Sequence, residues 1–191
     1  TLSRLGTRRN GLAGVPNSVV LHKNPKAMIA KGQPLPEIFR ALNIPYTEYV
    51  HPPAPDIPTA RLYWKDIEAA HCKNLFFRNH KGKRHYLVVV EHTRDLAIRD
   101  LEQRLRQGKL TFASPERMAR YLGVQPGSVT PFGLINDHQN HVHLFVDENL
   151  RHVQTISFHP LVNTASWVIS RPDFERFLAW TGNTWEYIAL Y

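Results

Sequence analysis

The stretch with the most evident chemical potential is HCKNLFF, residues 71–77, in which Lys73 stands between the chain's single cysteine and an apolar run. A lysine is almost never fully buried without a partner. On a strand it shares a face with Leu75 and Phe77, so its ammonium would emerge at the end of an apolar surface. On spacing alone, a lysine that extends into solvent at the start of a strand is the favoured interpretation, and an anchoring role stays open.

The neighbouring pair His71-Cys72 suggests a thiol nucleophile beside its base. Adjacent residues on a strand point to opposite faces, however, so His71 does not easily reach the sulfur. A small buried cysteine is therefore the favoured interpretation. A single cysteine also excludes an internal disulfide and a zinc site with several cysteines, which fits a reducing compartment, and a cytoplasmic location is expected.

Two further stretches have side chains or backbone groups suited to a site. Residues 127–131, GSVTP, form a loop bounded by Gly and Pro, and the free N–H groups of such a loop can bind an anion or a carbonyl. His159 ends the run SFHP, at the rim of a predicted strand. Taken singly, a plain turn and a structural histidine remain the simpler interpretations.

Eleven histidines raise the question of a metal site. His141 and His143, one residue apart, would place two imidazoles on one face of a strand. No third ligand lies at a telling spacing, and a half-exposed strand explains the pattern better, so a metal-dependent hydrolase is a distant alternative. The P-loop, G-x-G-x-x-G, G-x-S-x-G and H-E-x-x-H motifs are absent.

The composition is that of a soluble globular protein with one domain: 191 residues, 42% hydrophobic and 21% charged. No apolar run approaches the roughly 20 residues that span a bilayer, so no membrane association is expected. Most of the net charge of +8 lies in residues 1–27, which contain five basic residues and no acid. We interpret residues 1–32 as a basic leader or a vector-derived tail outside the fold, with an RNA-gripping arm as the alternative.

The elements that must position these residues can be predicted from hydrophobic periodicity and turn signals. Helices are predicted over residues 36–44, 59–70, 95–108, 114–123 and 170–182. Thr59, Asp95 and Ser170 are the expected N-caps of three of these helices.

Strands are predicted at residues 47–53, in a hairpin over residues 72–91, in a second hairpin over residues 132–150, and in three runs near the C-terminus. The run from Leu87 to Val90 has no alternation, which indicates a strand covered on both faces. Strands and helices follow one another without strict alternation. This order predicts an α+β domain with a mixed sheet.

Three stretches, CKNLFF, TFASPERMARYLGVQPGSVTPFGLIND and SFHPLVNTASWVIS, together resemble the bacterial prolyl-tRNA synthetase editing-domain family, also called the YbaK-like family. The likeness is strongest to its free-standing ProX branch, which hydrolyses alanine from mischarged proline tRNA. It covers residues 33–191, the predicted editing domain. The resemblance implies a single α+β domain whose mixed, partly barrel-like sheet is flanked by helices.

The resemblance also implies a metal-free, cofactor-free ester hydrolase that acts in trans on Ala-tRNA(Pro). It makes Lys73, Gly127 and His159 the predicted catalytic residues. The predicted substrate-binding residues are Asn74, Ser128, Val129, Thr130 and Pro131. Lys81, Lys83 and Arg84, in the turn of the first hairpin, are candidate contacts for the tRNA, although a solvated hairpin tip explains them equally well.

Two alternatives stay open beside this function. One is a deacylase for Cys-tRNA(Pro) or another small amino acid, and the other is a tRNA-binding module without catalysis. The expected partner is the acceptor end of mischarged tRNA(Pro), with a prolyl-tRNA synthetase or an elongation factor as a further partner.

Overall fold

Nine strands and five α-helices make up the part of the chain that the structure, a computed structural model, describes: residues 18–20 and 29–191. The strands are β1 (Ser18–Val20), β2 (Tyr46–Val50), β3 (Ala70–Asn79), β4 (His85–Glu91), β5 (Leu110–Phe112), β6 (Val142–Asp147), β7 (Thr155–Phe158), β8 (Ala165–Ser170) and β9 (Trp185–Ile188). The helices are α1 (Leu35–Ala41), α2 (Ile57–Trp64), α3 (Ile98–Leu105), α4 (Pro115–Leu122) and α5 (Arg171–Thr181). None of these helices is long and apolar enough to cross a membrane.

The strands form one mixed sheet in the order β1-β2-β8-β7-β3-β4-β6-β9, with β5 paired to β3. The predicted first hairpin is confirmed, since β3 and β4 pair antiparallel from Cys72–Glu91 to Arg78–His85. β4 and β6 pair in parallel, as do β6 and β9. β3 and β7 also pair in parallel, over only two residues. The expected α+β fold with a mixed sheet is therefore confirmed.

β4 is covered on both faces, as its unbroken apolar run predicts. Leu87 and Val89 pack into a large core on one face, together with side chains of α1 and α5. Val88 and Val90 pack on the other face with Leu101 and other side chains of α3 and its surroundings. All four β4 side chains are at most 1% exposed, so the hairpin that carries Lys73 is held between two apolar layers.

One of the three predicted N-caps is correct. Ser170 caps α5 by accepting a hydrogen bond from the Asp173 N–H at 3.1 Å, as predicted. The other two predicted caps are wrong. Asp56, not Thr59, caps α2, which begins at Ile57 and ends at Trp64. The N-cap of α3 is Ala97, because the carboxylate of Asp95 bonds to Lys73 instead.

The predicted second hairpin is wrong. Residues Pro131–Asn136 form a 3-10 helix whose N-cap, Thr130, accepts a hydrogen bond from the Phe132 N–H at 3.3 Å. Pro131 occupies the first turn, and the apolar side chains that suggested a strand are buried in the large core instead. Only β6 remains of the hairpin, and it pairs in parallel with its neighbours β4 and β9.

Parts of the predicted leader contact the body of the fold. Ser18–Val20 pairs antiparallel with β2. The Lys31 ammonium donates hydrogen bonds to the Asp137 carbonyl at 2.7 Å and to Asn183 Oδ1 at 2.8 Å. Residues 1–17 and 21–28 lie outside the described residues, so the domain boundary near residue 33 stays a prediction.

Two buried histidines are expected to make the folded state sensitive to acid. Burial, and for His85 also the nearby His141 and Arg117, lowers the pKa of His71 and of His85 from 6.5 to about 4. Between pH 6.5 and about pH 4 the unfolded chain therefore binds more protons than the folded one. The free energy of unfolding is highest above about pH 7 and decreases as the pH falls through this range. We expect urea unfolding to give about 2 kcal/mol less stability per histidine at about pH 5 than at about pH 7.5.

The matched variant for this measurement is His71→Phe, which keeps an aromatic ring stacked on Trp64. It removes one titrating group, so its stability should fall less with acid than that of wild type, by about 2 kcal/mol over the same range. An identical pH dependence in wild type and variant would contradict the assignment of this effect to His71.

Candidate active site

A cavity of about 260 Å³ opens beside the start of β3. Its wall comes from four parts of the chain: residues 54–64 around α2, residues 72–75 of β3, Gly127 and Val129, and the end of β7 with Ser166 of β8. The lining mixes apolar side chains with a few polar groups, which is the usual make-up of a small-molecule site.

Five of the predicted site residues line this cavity: Lys73, Asn74, Gly127, Val129 and His159. The remaining three residues of the 127–131 loop, Ser128, Thr130 and Pro131, are buried and are not part of its lining. Lys81, Lys83 and Arg84 lie at the other end of the β3–β4 hairpin. The residues proposed for chemistry therefore meet, and those proposed for the tRNA lie apart from them.

The Lys73 ammonium is held in place rather than free in solvent. It donates hydrogen bonds to the Arg94 carbonyl at 2.8 Å and to Asp95 Oδ1 at 3.1 Å. Its side chain is 22% exposed, whereas that of Asp95 is fully exposed. These two hydrogen bonds give the ammonium a defined position at the cavity wall.

Asn74 connects β3 to residues 127–131, the glycine loop. Its amide Nδ2 donates to the Val129 carbonyl at 3.0 Å. The Oδ1 atom of the same side chain is buried and has no hydrogen-bond partner among the described residues. A buried acceptor without a partner is costly, so this oxygen is available to a donor on a bound molecule.

Gly127 lies in close contact with the chain that leads into α2. Its φ is +83°, and a Cβ there would lie 2.8 Å from the Pro55 carbonyl oxygen and 3.0 Å from the Pro55 Cα. Only glycine fits both the backbone conformation and this approach. Within the described residues the Ser128 N–H bonds to the Gln125 carbonyl, while no partner is found for the N–H groups of Gly127 and Val129.

His159 is neutral near pH 7 because burial lowers its pKa. Its Nδ1 lies 2.9 Å from the Ala165 carbonyl oxygen, which can only accept, so Nδ1 carries the proton and Nε2 is the free acceptor. The imidazole therefore has a fixed tautomer and lines the cavity as a hydrogen-bond acceptor.

Ser166, which lines the cavity, and its hydrogen-bond partner His51 are not among the predicted site residues. His51 Nδ1 donates to the Pro52 carbonyl at 2.8 Å, so its Nε2 accepts from Ser166 Oγ at 3.0 Å. The distance fits a hydroxyl and its base, but Ser166 is only 1% exposed, which favours a supporting role between β2 and β8. In the sequence His51 precedes two prolines and indicates only the end of a strand.

Cys72 is buried in the large core, and burial raises the pKa of its thiol. His71 stacks on Trp64 with the ring centres 4.5 Å apart, and its Nε2 bonds to the Ile67 carbonyl. The prediction that Cys72 is a core residue rather than a nucleophile paired with His71 is confirmed.

We therefore expect Cys72→Ala to keep kcat/KM within about threefold of wild type, because a protonated buried thiol is not a nucleophile. Iodoacetamide at about pH 8 should leave native Cys72 unmodified and label it after unfolding. Mass spectrometry of the alkylated peptide measures this. Fast labelling of the native protein with loss of activity would contradict it.

His141 and His143, the histidines of the distant metal-site alternative, make separate side-chain contacts. His141 precedes β6, stacks on Tyr121 and lies 2.8 Å from His85, whereas His143 stacks on Phe145 and pairs with Glu186 at 3.0 Å. Among residues 29–191, no three histidine, cysteine or acidic side chains are arranged to hold a metal ion.

The sequence is similar to a known protein family and to individual known proteins. The model described as "Aminoacyl-tRNA editing domain" matches residues 51–177. The prolyl-tRNA editing protein ProX of Acetoanaerobium sticklandii is 36% identical over 151 residues, which cover 78% of this chain and 91% of that protein. The prolyl-tRNA synthetase associated domain-containing protein 1 of Danio rerio is 33% identical over 152 residues, covering 78% and 82%.

The fold also matches solved structures. One is the crystal structure of a candidate trans-editing enzyme for prolyl tRNA synthetase, with a TM-score of 0.59 and 20% sequence identity. The match covers 82% of this chain and 92% of that one. At this level of identity the likeness concerns the fold alone.

Proposed function

Because the chain belongs to the aminoacyl-tRNA editing domain family, we propose that it is a trans-acting deacylase that hydrolyses the ester of mischarged tRNA(Pro). The observation that carries the proposal is the convergence of Lys73, Asn74, Gly127 and His159 on one cavity. The names of the relatives ProX and prolyl-tRNA synthetase associated domain-containing protein 1 support prolyl-tRNA as the substrate class.

The reaction needs no strong nucleophile from the protein. An aminoacyl ester is already activated, so the site must orient a water molecule and stabilise the oxyanion that develops on the carbonyl oxygen. In this proposal the N–H groups of Gly127 and Val129 donate to that oxyanion. A hydroxyl of the terminal ribose takes part in proton transfer, as the family resemblance suggests.

Lys73 acts as an anchor and an electrostatic stabiliser in this mechanism. A lysine ammonium is a point charge that suits a phosphate or the terminal ribose of the tRNA. Its hydrogen bond to the Arg94 carbonyl fixes its position before the substrate arrives. A fixed charge needs no reorganisation when negative charge develops, which is the source of its catalytic effect.

His159 and Asn74 recognise the aminoacyl group and the attacking water. The Nε2 atom of His159 is an acceptor at neutral pH, because Nδ1 is committed to the Ala165 carbonyl. It accepts a hydrogen bond from the water. The partnerless Asn74 Oδ1 accepts from the α-ammonium group of the amino acid.

The amino acid that we propose is alanine. A synthetase site built for proline cannot strongly exclude a smaller side chain, since each missing methylene costs only about 1–3 kcal/mol. A second pocket completes the discrimination if it admits alanine and excludes the larger proline ring. Asn74, His159 and the apolar lining form this pocket in our proposal.

One deacylation assay tests substrate and specificity together. The protein is incubated with Ala-, Cys- and Pro-tRNA(Pro), and the remaining aminoacyl ester is followed with time. We expect fast hydrolysis of Ala-tRNA(Pro), slower hydrolysis of Cys-tRNA(Pro) and none of Pro-tRNA(Pro). A preference for Cys-tRNA(Pro) would favour the cysteine-specific alternative, and binding without any turnover would favour a non-catalytic module.

Contacts with the rest of the tRNA belong to the same proposal. Lys81, Lys83 and Arg84 bring positive charge to the hairpin turn and would contact the acceptor arm. A prolyl-tRNA synthetase or an elongation factor that presents the mischarged tRNA is a further proposed partner. The synthetase or the elongation factor would bind the tRNA before its ester reaches the cavity.

A further inference from the structure

A second cavity, of about 300 Å³, lies at the far end of the β3–β4 hairpin from Lys73. Its basic lining residues are Lys83, Arg84, His85, His141 and His143, and no acidic residue of the described chain is part of its wall. Cys72 and Arg78 mark the two ends of the β3–β4 pairing. Six residues of strand separate them, or about 20 Å.

The turn that carries Lys83 and Arg84 is held by side chains around it. Asn79 Oδ1 accepts from the backbone N–H of Lys83 at 3.0 Å and from that of Arg84 at 3.2 Å. The Arg117 Nη1 atom of α4 donates to the Gly82 carbonyl at 2.9 Å. The backbone of the turn is thus fixed before anything binds, which lowers the entropic cost of binding.

The side chains of Lys83 and Arg84 are left without partners by these contacts. Neither the Lys83 ammonium nor the Arg84 guanidinium makes a hydrogen bond or ion pair with another residue in the described part of the chain. The carboxylate of Glu186 pairs with His143, and that of Asp137 accepts from the Val142 N–H and from Asn183, so neither pairs with Lys83 or Arg84. Two cations therefore remain available at the mouth of the cavity.

A chain of hydrogen bonds fixes the protons of the two histidines His85 and His141. The Arg117 guanidinium can only donate, so His85 Nε2, 2.8 Å away, accepts. The proton of neutral His85 is then on Nδ1 and is donated to His141 Nε2 at 2.8 Å. His141 in turn carries its proton on Nδ1, a donor without a partner among the described residues. The Arg117 cation thus fixes the tautomers of both histidines.

The charges around this chain of bonds have the same sign. The cations Arg117, Arg120 and Arg78 all lower the pKa of His85, after burial and the neighbouring His141. His85 stays neutral, and the region around it is electropositive. Such a region, with free cations and oriented donors, attracts phosphate.

We propose that this second cavity binds a phosphate of the RNA backbone and is a second contact for the tRNA, separate from the cavity that holds its ester. The proposal rests on the proposed function for the substrate class. The ester is at one end of the tRNA, and the phosphate backbone leads away from it. A protein contact about 20 Å from the ester cavity therefore meets the phosphate backbone rather than the ester. Phosphate contacts position a nucleic acid without reading its sequence.

The test is binding of uncharged tRNA(Pro) to the full chain, measured by fluorescence anisotropy between about 0.05 and 0.2 M salt. We expect Lys83→Gln/Arg84→Gln to raise Kd about tenfold and to make the slope of log K against log salt shallower by about 2. In deacylation, KM should rise while kcat stays unchanged, because the ester cavity is intact. His141→Phe should raise Kd with no change of slope, since it removes a neutral donor.

The matched control is Arg40→Gln/Arg151→Gln, which removes two positive charges from exposed side chains that line neither cavity. An equal loss of affinity in this control would overturn the proposal in favour of net charge. Unchanged Kd and salt slope in Lys83→Gln/Arg84→Gln would overturn it as well. Failure of the proposed function would instead appear as no turnover of any mischarged tRNA by the wild-type protein.

Discussion

Replacing Lys73 with alanine is expected to lower kcat/KM for mischarged tRNA(Pro) by about 10²- to 10³-fold. The substitution removes a fixed positive charge from the cavity wall, where it would stabilise negative charge on the substrate. The free energy of unfolding should change by about 1 kcal/mol or less, because the lost ion pair has a fully exposed partner. Deacylation kinetics together with urea unfolding measure both quantities.

Asp95→Ala is the control for this variant. It removes the Asp95 carboxylate from the Lys73 ammonium but leaves the bond to the Arg94 carbonyl. We expect kcat/KM within about threefold of wild type, since exposed ion pairs contribute little. An active, folded Lys73→Ala protein would remove Lys73 from the mechanism. An equal loss of kcat/KM in Asp95→Ala would mean that the Lys73–Asp95 ion pair, rather than the charge of Lys73 alone, is required.

Replacing Gly127 with alanine is the second change with a large expected effect. The new Cβ would lie within 3.0 Å of two backbone atoms of Pro55, so the glycine loop and the segment before α2 must separate. Since Pro55 and Gly127 both line the cavity, its shape changes with them. We expect kcat/KM to fall about 10²-fold and the free energy of unfolding to fall by about 2 kcal/mol.

Gly108→Ala separates backbone strain from this close contact. Gly108 has a φ of +76°, similar to the +83° of Gly127, but no atom lies within 4 Å of a Cβ placed there. It should lose about 1 kcal/mol of stability and keep its activity. Wild-type kcat/KM in a Gly127→Ala protein would exclude the loop from the site, whereas equal activity loss in both variants would point to general destabilisation.

Local sequence patterns were sufficient for the elements whose determinants lie close together in the chain. The unbroken apolar run of β4 predicted a strand covered on both faces, and Ser170 with Asp173 predicted the start of α5. The position of Cys72 followed from the alternation of side chains along a strand. In each case the deciding contacts are within the element or directly on its faces.

Several features that were not predicted correctly depend on partners distant in the chain. Asp95 fails as an N-cap because its carboxylate bonds to Lys73, twenty-two residues earlier. His51 reaches the cavity through Ser166, which is 115 residues later in the chain. The 3-10 helix after Thr130 has the same apolar composition as a strand, and only its packing into the large core decides between them.

The pairing of β2 with β8 has a consequence for how the molecule is made. These strands are joined through Tyr49–Ser166 and neighbouring pairs, across most of the chain, whereas β3 and β4 pair across a short turn. Closing so long a loop is entropically costly and slow, so we expect the hairpin that carries Lys73 to form early and the β2–β8 contact to form late. On the ribosome the hairpin is complete long before β8 is synthesised. We therefore expect the cavity to form in the last stage of folding. In a nascent chain Lys73 is already part of a hairpin, but the cavity beside it has not yet formed.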